Sequence, residues 1–236
     1  MRRPPVADGT HIAWTEATWN PITGCSVVSP GCTNCYAREF ARRFGTKWGV
    51  DEVRREFGDK HWDGPTKWNA RAERTGVRER VFCNSMSDWA DKNSPQGMYD
   101  RLWALIRATP HLDWQLLTKR IGNVLKMTDP ERGCRALPPN AAIGATLPNQ
   151  EEYDRDRMKL AEVREKRGPA FTFASMEPLL GPVVLDRNAP DWIIVGGETD
   201  QGAHKARDAD PAWFRSLRDQ SARLGRAFFM KQMTRK

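Results

Sequence analysis

The sequence lacks a long hydrophobic run, a secretory leader and a disulfide framework. No stretch of about eighteen apolar residues occurs, which predicts that no segment spans a membrane. The first residues, MRRPPVADGT, carry arginines without the apolar stretch that follows them in a secretory signal. The chain has five cysteines, and an odd number fits reduced thiols better than disulfide pairs. These absences predict a cytoplasmic protein.

Two common nucleotide-binding motifs are also missing. No GxGxxG sequence follows the first predicted strand and no P-loop sequence occurs, so dinucleotide-binding and P-loop NTPase chemistry lack support. Acidic residues are outnumbered, with 30 Asp and Glu against 38 Lys and Arg and a net charge of +8. A basic balance favours a polyanionic partner, such as a nucleotide or nucleic acid. A surface that merely uses arginine as its solvated residue is the alternative.

Six short apolar segments bounded by polar or turn residues predict buried strands. They are residues 80–87, 113–118, 141–147, 170–176, 191–197 and 227–233, with a further short strand near Ile22. Helical patterns lie between most of them, at 36–57, 95–108, 150–167 and 211–225. Alternating strands and helices predict right-handed crossovers and one α/β domain over residues 1–236. Its expected form is a partial (β/α) barrel of six or seven mainly parallel strands, and an open doubly wound sheet is the alternative.

Polar side chains follow the predicted strands at the ends where a parallel barrel gathers its functional groups. Such groups would form one polar cleft, while solvated loops are the plain alternative. A lysine would bind a carboxylate or phosphate, a glutamate would bind an ammonium or ribose hydroxyl, and an aspartate would serve as general base or hydrogen-bond acceptor. The catalytic candidates are Asp88, Lys119 and Glu177. The candidates for binding a cofactor or substrate are Tyr36, Ser85, Ser175, Glu198 and Lys231.

The densest chemical signal is the stretch GCSVVSPGCTNCYA, which contains Cys25, Cys32 and Cys35. Thiolates select zinc or iron–sulfur clusters. A structural zinc site needs four protein ligands, and no histidine lies at a zinc-finger spacing from these cysteines. The remote cysteines are fourth-ligand candidates or simply buried or free thiols: Cys83 and Cys134. Three thiolates would hold a [4Fe–4S] cluster with one iron open to a substrate, a cofactor or another side chain.

The opening motif WTEATWNPITGCSVVSPGCTNCYA resembles that of a family which is widespread in phages and prophages and is known only as a domain of unknown function. Further matching motifs follow in order: SMSDW, QLLTKR, SMEPLLGP, IIVGGET and FFMKQM. The resemblance covers the chain from Trp14 to Gln232. That family is similar in turn to the radical S-adenosylmethionine (SAM) enzymes, with spore photoproduct lyase among the closer analogues.

The resemblance implies a radical-SAM-like barrel with a [4Fe–4S] cluster on Cys25, Cys32 and Cys35, in the loop at residues 24–36. In radical-SAM enzymes the open iron binds SAM, and an electron from an external donor yields a 5′-deoxyadenosyl radical that takes hydrogen from the substrate. The implied function is an enzyme that acts on a nucleotide or nucleic acid, in the cytoplasm of the host cell if the protein is phage-encoded.

The sequence departs from the radical-SAM pattern in two places. Its cysteine spacing is CxxxxxxCxxC instead of CxxxCxxC, and the aromatic residue Tyr36 follows the last cysteine instead of preceding it. Its GGE sequence, at 196–198, comes far later than the GGE that contacts the SAM amino group in those enzymes. One alternative is a [4Fe–4S] protein that does not use SAM, whose open iron is capped by a side chain or water for redox sensing, electron transfer or Lewis-acid chemistry. Another is a zinc-stabilised nucleic-acid-binding protein.

Overall fold

The computed structural model describes residues 10 and 12–234, in which nine strands and seven α-helices form. The strands are β1 Ala17–Trp19, β2 Ile22–Thr23, β3 Arg55–Glu56, β4 Glu79–Cys83, β5 Leu112–Thr118, β6 Ala141–Thr146, β7 Thr172–Met176, β8 Trp192–Gly196 and β9 Ala227–Gln232. The helices are α1 Tyr36–Arg43, α2 Asp59–Trp62, α3 Gly64–Thr75, α4 Met98–Ala108, α5 Ile121–Met127, α6 Gln150–Arg167 and α7 Pro211–Arg223. The prediction about an N-terminal signal concerns residues 1–10, nearly all of which lie outside the described residues.

One large sheet organises the described part of the chain. Its seven strands pair in the order β1-β4-β5-β6-β7-β8-β9, and all neighbouring pairs are parallel. Strands that follow each other in this sheet lie side by side, and the sheet curls into a half-barrel. The predicted partial (β/α) barrel is confirmed, and the doubly wound alternative is wrong because the strand order never reverses. Among the described residues, no helix has both the length and the apolar character needed to cross a membrane.

The helix α6 shows why several elements could be located from the sequence. The Asn149 side chain accepts a hydrogen bond from the Glu152 backbone N–H, 2.9 Å away, and so caps the first turn. Gly168 ends the helix in the left-handed conformation, with φ at +54°. The prediction of a helix over 150–167 is therefore confirmed. The predicted helix after Asp210 is confirmed as α7, with the Asp210 carboxylate accepting from the Ala212 N–H.

The short strand predicted near Ile22 is confirmed as β2, which pairs with β3 in a separate antiparallel sheet, while the first strand of the large sheet is β1. Two predictions about helix bounds are wrong. The helix predicted over 36–57 ends at Arg43, because the backbone turns at Gly45, where φ is +64°. The helix predicted from residue 95 begins at Met98, after Gly97 in the left-handed conformation. The sequence reading also omitted the helices α2, α3 and α5.

The half-barrel has apolar side chains on both faces of its sheet, because successive strand residues point to opposite sides. The outer face packs in the main core, to which Val81, Leu116 and Ile193 belong. A second, inner cluster consists of Trp14, Phe82, Ala142, Phe173 and Ile194. The Trp14 ring, which precedes β1, lies 4.7 Å from the Phe82 ring between centroids. This inner cluster, called here the aromatic floor, fills the interior below the carboxyl ends of the strands.

Gly144 of β6 tests the packing of the aromatic floor. A Cβ built at this position would overlap the Phe173 ring. We expect Gly144→Ala to lower the free energy of unfolding by about 1–3 kcal/mol, because the added methyl group overpacks the interior. Urea unfolding followed by tryptophan fluorescence measures the change. Gly58→Ala is the control, since a Cβ there meets nothing within 4 Å. Equal stability of the two variants would contradict this account of the inner face.

Candidate functional site

A cavity of about 500 Å³ opens at the carboxyl ends of the strands. Its walls continue the inner face of the sheet above the aromatic floor, through Thr146 of β6 and Ser175 of β7. Small-molecule sites have volumes of about 300–1,000 Å³, so the cavity is large enough for a ligand. All the sequence-predicted site residues line it: Cys25, Cys32, Cys35, Tyr36, Ser85, Asp88, Lys119, Ser175, Glu177, Glu198 and Lys231. The structure brings this set together, while the role of each member stays a prediction.

The three cysteines occupy different parts of the loop at residues 24–36. Cys25 follows β2, Cys32 ends the 3-10 turn Pro30–Cys32, and Cys35 is the N-cap residue of α1. Cys32 is buried, whereas Cys25 and Cys35 are half-buried.

Contacts with distant elements fix the backbone of this loop. The Ser29 hydroxyl accepts a hydrogen bond from the Gly31 N–H at 3.0 Å and donates one to Glu152 Oε2 at 2.6 Å. Arg207 Nη1 donates to the Pro30 carbonyl at 3.1 Å. Ser29 thereby ties the loop to α6, and Arg207 ties it to the segment that precedes α7. These contacts hold the loop beside the cavity.

Glu198 joins the cysteine loop to the carboxyl end of β8. Its Oε1 accepts from Arg207 Nη2 at 2.6 Å, and its Oε2 accepts from Arg207 Nε at 3.0 Å and Asn34 Nδ2 at 2.9 Å. Burial raises the pKa of Glu198, but hydrogen bonds from Arg207 and Asn34 outweigh burial and hold this pKa below its ordinary value of 4.5. The predicted cofactor-binding role of Glu198 stays a prediction, and its observed contacts are with the protein.

The Glu198 contacts predict a pH-dependent contribution to stability. The pKa of Glu198 is lower in the folded state than its ordinary value of 4.5. The ionised Glu198 side chain therefore stabilises the fold fully above pH 4.5, and this stabilisation is lost as the pH falls through the lowered pKa. We expect Glu198→Gln to lower the free energy of unfolding at neutral pH, by an amount that shrinks in acid. Urea unfolding over a pH series measures this difference, with Glu165→Gln, on an exposed residue of α6, as the control. A difference that stays constant into acid would contradict the assignment.

Asp88 lies in the segment that follows β4, and four hydrogen bonds hold its carboxylate against the carboxyl end of β5. Its Oδ1 accepts from Thr118 Oγ1 at 2.6 Å and from the Ala90 N–H at 3.0 Å. Its Oδ2 accepts from the Lys119 N–H at 3.0 Å and from Arg120 Nη1 at 2.8 Å. Both carboxylate oxygens are therefore engaged. The predicted role of Asp88 as general base stays a prediction, and its contacts give it a structural role.

Arg120 connects Asp88 to the cysteine loop. Its Nη1 lies 3.5 Å from Cys25 Sγ, and its Nη2 donates to Ser26 Oγ at 2.8 Å. Burial and, next, the charge of Asp88 raise the pKa of the Cys25 thiol, although Arg120 acts against them. No catalytic or binding role was predicted for Arg120, which directly follows Lys119 among the polar residues at the end of a predicted strand. If the Cys25 side chain is a thiolate, the Arg120 guanidinium is the cationic hydrogen-bond donor beside its sulfur.

Glu177 and Lys231 form an ion pair across β8. Glu177 follows β7 and Lys231 lies in β9, so the pair must pass over the strand between them. Gly196 of β8 makes this possible, because a Cβ there would come within 3.1 Å of the Glu177 side chain. The pair is about one-fifth exposed and lines the cavity. It places one carboxylate and one ammonium group side by side in the wall.

The remaining polar candidates lie around the same opening. The Lys119 ammonium forms no hydrogen bond or ion pair with any residue that the structure describes. The Tyr36 hydroxyl donates to the Ser85 carbonyl at 2.7 Å. In the cavity wall, Thr146 Oγ1 is buried and has no hydrogen-bond partner among the described residues. Buried polar atoms without a protein partner are rare, so they indicate a polar ligand or water at this position.

The donor set of the loop consists of three thiols. Within the described part of the chain, no three His, Cys, Asp or Glu side chains stand close enough to form a ready metal site. Cys83 is buried in the main core and its Sγ lies 2.8 Å from Asn84 Oδ1, while Cys134 lies beside the Lys126 carbonyl. Neither is among the described residues that line the cavity. The three loop thiols line one cavity without forming a ready metal site among the described residues, so their predicted role as [4Fe–4S] ligands stays a prediction.

Comparison with known proteins gives one result that covers nearly the whole chain. Residues 9–235 match the model of a family described as "Protein of unknown function (DUF5131)". No curated protein matches the chain, and no solved structure matches it. The chemistry of the cavity therefore has to be argued from its own residues.

Proposed function

The chain belongs to the DUF5131 family of proteins of unknown function, and on that premise we propose that it is an iron–sulfur enzyme of the radical-SAM type. The observation that supports this proposal most strongly is the position of Cys25, Cys32 and Cys35. Their thiols line one cavity at the carboxyl ends of a parallel half-barrel, and neither remaining cysteine lines it. Function in parallel barrels gathers at that edge.

In this proposal the three thiolates hold a [4Fe–4S] cluster, and the cavity above the aromatic floor holds SAM and substrate. When bound, the cluster and SAM supply a 5′-deoxyadenosyl radical, which abstracts hydrogen. Glu177 would accept hydrogen bonds from an ammonium group, and Lys231 would donate to a carboxylate. The adjacent opposite charges of this pair thus match a zwitterionic amino-acid group. The aromatic floor excludes water from the lower side of the cavity.

The departures from the radical-SAM pattern have local explanations in this fold. The longer spacing between Cys25 and Cys32 contains the Ser29 cap and the 3-10 turn, which return Cys32 to the cavity. The late GGE sequence ends in Glu198, whose oxygens accept from Arg207 and Asn34. We therefore assign the recognition of a ligand ammonium group to Glu177 instead of Glu198.

The proposed substrate is a nucleotide or nucleic acid. The net charge of +8 favours a polyanion, and the Lys119 ammonium, without a described partner, stands in the cavity wall beside the cysteine loop. A carbon built at Gly31 would lie 3.6 Å from the Lys119 Cε, so the lysine and the loop are neighbours. The proposal includes an external electron donor and, for a phage-encoded protein, the cytoplasm of the host cell.

Reductive cleavage of SAM tests this function. Protein purified and reconstituted without oxygen should release 5′-deoxyadenosine from SAM when dithionite is added, as measured by liquid chromatography and mass spectrometry. Lys231→Met should reduce the release at least tenfold, because it removes the donor to the SAM carboxylate. Val77→Ala, on an exposed residue outside the cavity, is the control. A cluster-loaded protein that releases no 5′-deoxyadenosine would contradict the radical-SAM proposal.

A cluster protein that does not use SAM is the second candidate. The engagement of Glu198 with Arg207 and Asn34 favours it, since the GGE carboxylate is then not available to a SAM amino group. The open iron would be capped by a side chain or water, in redox sensing, electron transfer or Lewis-acid chemistry. This candidate predicts full cluster loading with a spectrum that SAM does not change.

A further inference from the structure

An exposed aromatic stripe runs along α1, beside the cavity. Tyr36, Phe40 and Phe44 recur at intervals of four residues, which places them on one side of the helix. They are 46%, 49% and 67% exposed, and the rings of Phe40 and Phe44 lie 4.4 Å apart between centroids. Grouped large apolar side chains on a surface mark a binding site for another molecule.

The stripe is continuous with the cavity. Tyr36 lines the cavity and donates its hydroxyl proton to the Ser85 carbonyl there. Trp48, which follows α1, lines both the cavity and a neighbouring depression of about 320 Å³. That depression is also lined by Arg38 and Arg42. A molecule that lies along α1 can therefore extend into the cavity.

The segment that carries the stripe is strongly basic. Its cations alternate with the aromatic residues over positions 36–48, and they are Arg38, Arg42, Arg43 and Lys47. The acidic residue of this segment, Glu39, is buried and forms an ion pair with Arg42 at 3.2 Å. Arg43 has no ion pair with any residue in the described part of the chain. Arg43, three positions after Phe40, lies beside the stripe, whereas Arg38 and Arg42 lie on the side of α1 that lines the depression, and Lys47 pairs with Glu52 at 3.4 Å. The stripe thus has one adjacent cation, with further positive charge on the neighbouring side of the helix.

We propose that this stripe binds a single strand of nucleic acid and delivers one of its nucleotides to the cavity. Single strands combine phosphates, which the arginines bind, with unpaired bases, which stack on exposed aromatic rings. A second copy of the chain fits poorly, because a symmetric contact along the stripe would bring Arg43 of one copy close to Arg43 of the other, and Arg43 has no ion pair among the described residues. The inference rests on the proposed function for the identity of the cavity, and it specifies the substrate as polymeric.

Fluorescence anisotropy with labelled oligothymidylate and oligouridylate tests the stripe, using the full chain as purified. We expect both probes to bind, and Phe40→Ala with Phe44→Ala to weaken binding at least tenfold through lost stacking. Arg43→Gln should reduce the slope of log affinity against log salt by about 0.7, the value for one phosphate contact on a single strand. The matched control is the double variant Val77→Ala with Val184→Ala, which removes two exposed apolar side chains away from the cavity.

Two results would overturn the proposal. The first is that neither probe binds the unaltered protein. The second is that both probes bind the Phe40 and Phe44 variant with unchanged affinity, while circular dichroism shows that the variant is folded. Sedimentation of the same variant detects the competing occupant, because loss of a dimer without loss of probe binding assigns the stripe to a second copy. Iron content and SAM cleavage are measured on the same preparations. SAM cleavage without probe binding refutes the stripe alone, whereas probe binding without a cluster refutes the proposed function alone.

Discussion

Replacing Cys32 with alanine is expected to abolish the iron–sulfur content of anaerobically purified protein. In the proposed function the three cysteines that line the cavity would all ligate the cluster, and two would be too few to retain it. The variant should lose its brown colour, its absorbance near 400 nm and its acid-labile sulfide. Cys25→Ala and Cys35→Ala should have the same effect. Iron and sulfide analysis per mole of protein measures the change.

Cys134→Ala is the matched control for this experiment. Its thiol lies beside the Lys126 carbonyl and is not among the described residues that line the cavity, so the variant should keep its iron and sulfide. Retention of both by the Cys32 variant would show that the ligand assignment is wrong. Circular dichroism separates loss of the cluster from loss of the fold, which the Ser29 and Arg207 contacts maintain without the thiol.

Replacing Asp88 with alanine is expected to lower the free energy of unfolding by about 3–5 kcal/mol, the cost of removing one partner of a buried ion pair. The Asp88 and Arg120 side chains are 6% and 11% exposed, and their closest atoms lie 2.8 Å apart. The variant removes the acceptor of the Thr118 hydroxyl and the nearest carboxylate of Arg120, whose next carboxylate, Asp91, lies 3.7 Å away. Asp88→Asn should also destabilise the protein, because an amide nitrogen replaces one acceptor oxygen. Urea unfolding measures both variants.

Asp113→Asn provides the control for Asp88. Asp113 also pairs with an arginine, Arg78, but the two side chains are 25% and 48% exposed, so the loss should stay within about 1 kcal/mol. If the Asp88 variants unfold at the same urea concentration as the unaltered protein, the structural role assigned to this carboxylate is incorrect. An Asp88→Asn variant that is stable yet inactive would instead support the predicted role as general base.

Strand-end chemistry was predictable from the sequence because parallel strands finish at one edge. Ser175 and Glu177 lie at the end of one apolar segment, and Lys231 lies near the end of another. They could be expected in one cleft without knowledge of the strand order. The cysteines were equally accessible, since their density in the sequence is itself the signal. All these residues line the cavity. Their chemical roles are a separate matter, which the experiments above address.

The contacts that hold the cysteine loop were not predictable. Asn34 and Arg207 lie in irregular segments, 173 positions apart in the sequence. Both donate hydrogen bonds to the Glu198 carboxylate. No periodic pattern reports such a contact, because it depends on the path of two loops. The helix predicted over 36–57 failed for a related reason. Its apolar spacing continues past Gly45, and part of that spacing consists of Phe40 and Phe44, which are exposed instead of packed.

Electron paramagnetic resonance of the anaerobically purified, dithionite-reduced protein, recorded with and without SAM, tests the central claim most directly. The account predicts the signal of a reduced [4Fe–4S] cluster that changes when SAM is added, because in the proposed function SAM would bind the open iron, with Glu177 and Lys231 recognising its amino-acid group. A cluster signal that is indifferent to saturating SAM would contradict the radical-SAM function and favour the capped cluster. The absence of any cluster signal after reconstitution would contradict the assignment of the three cysteines themselves.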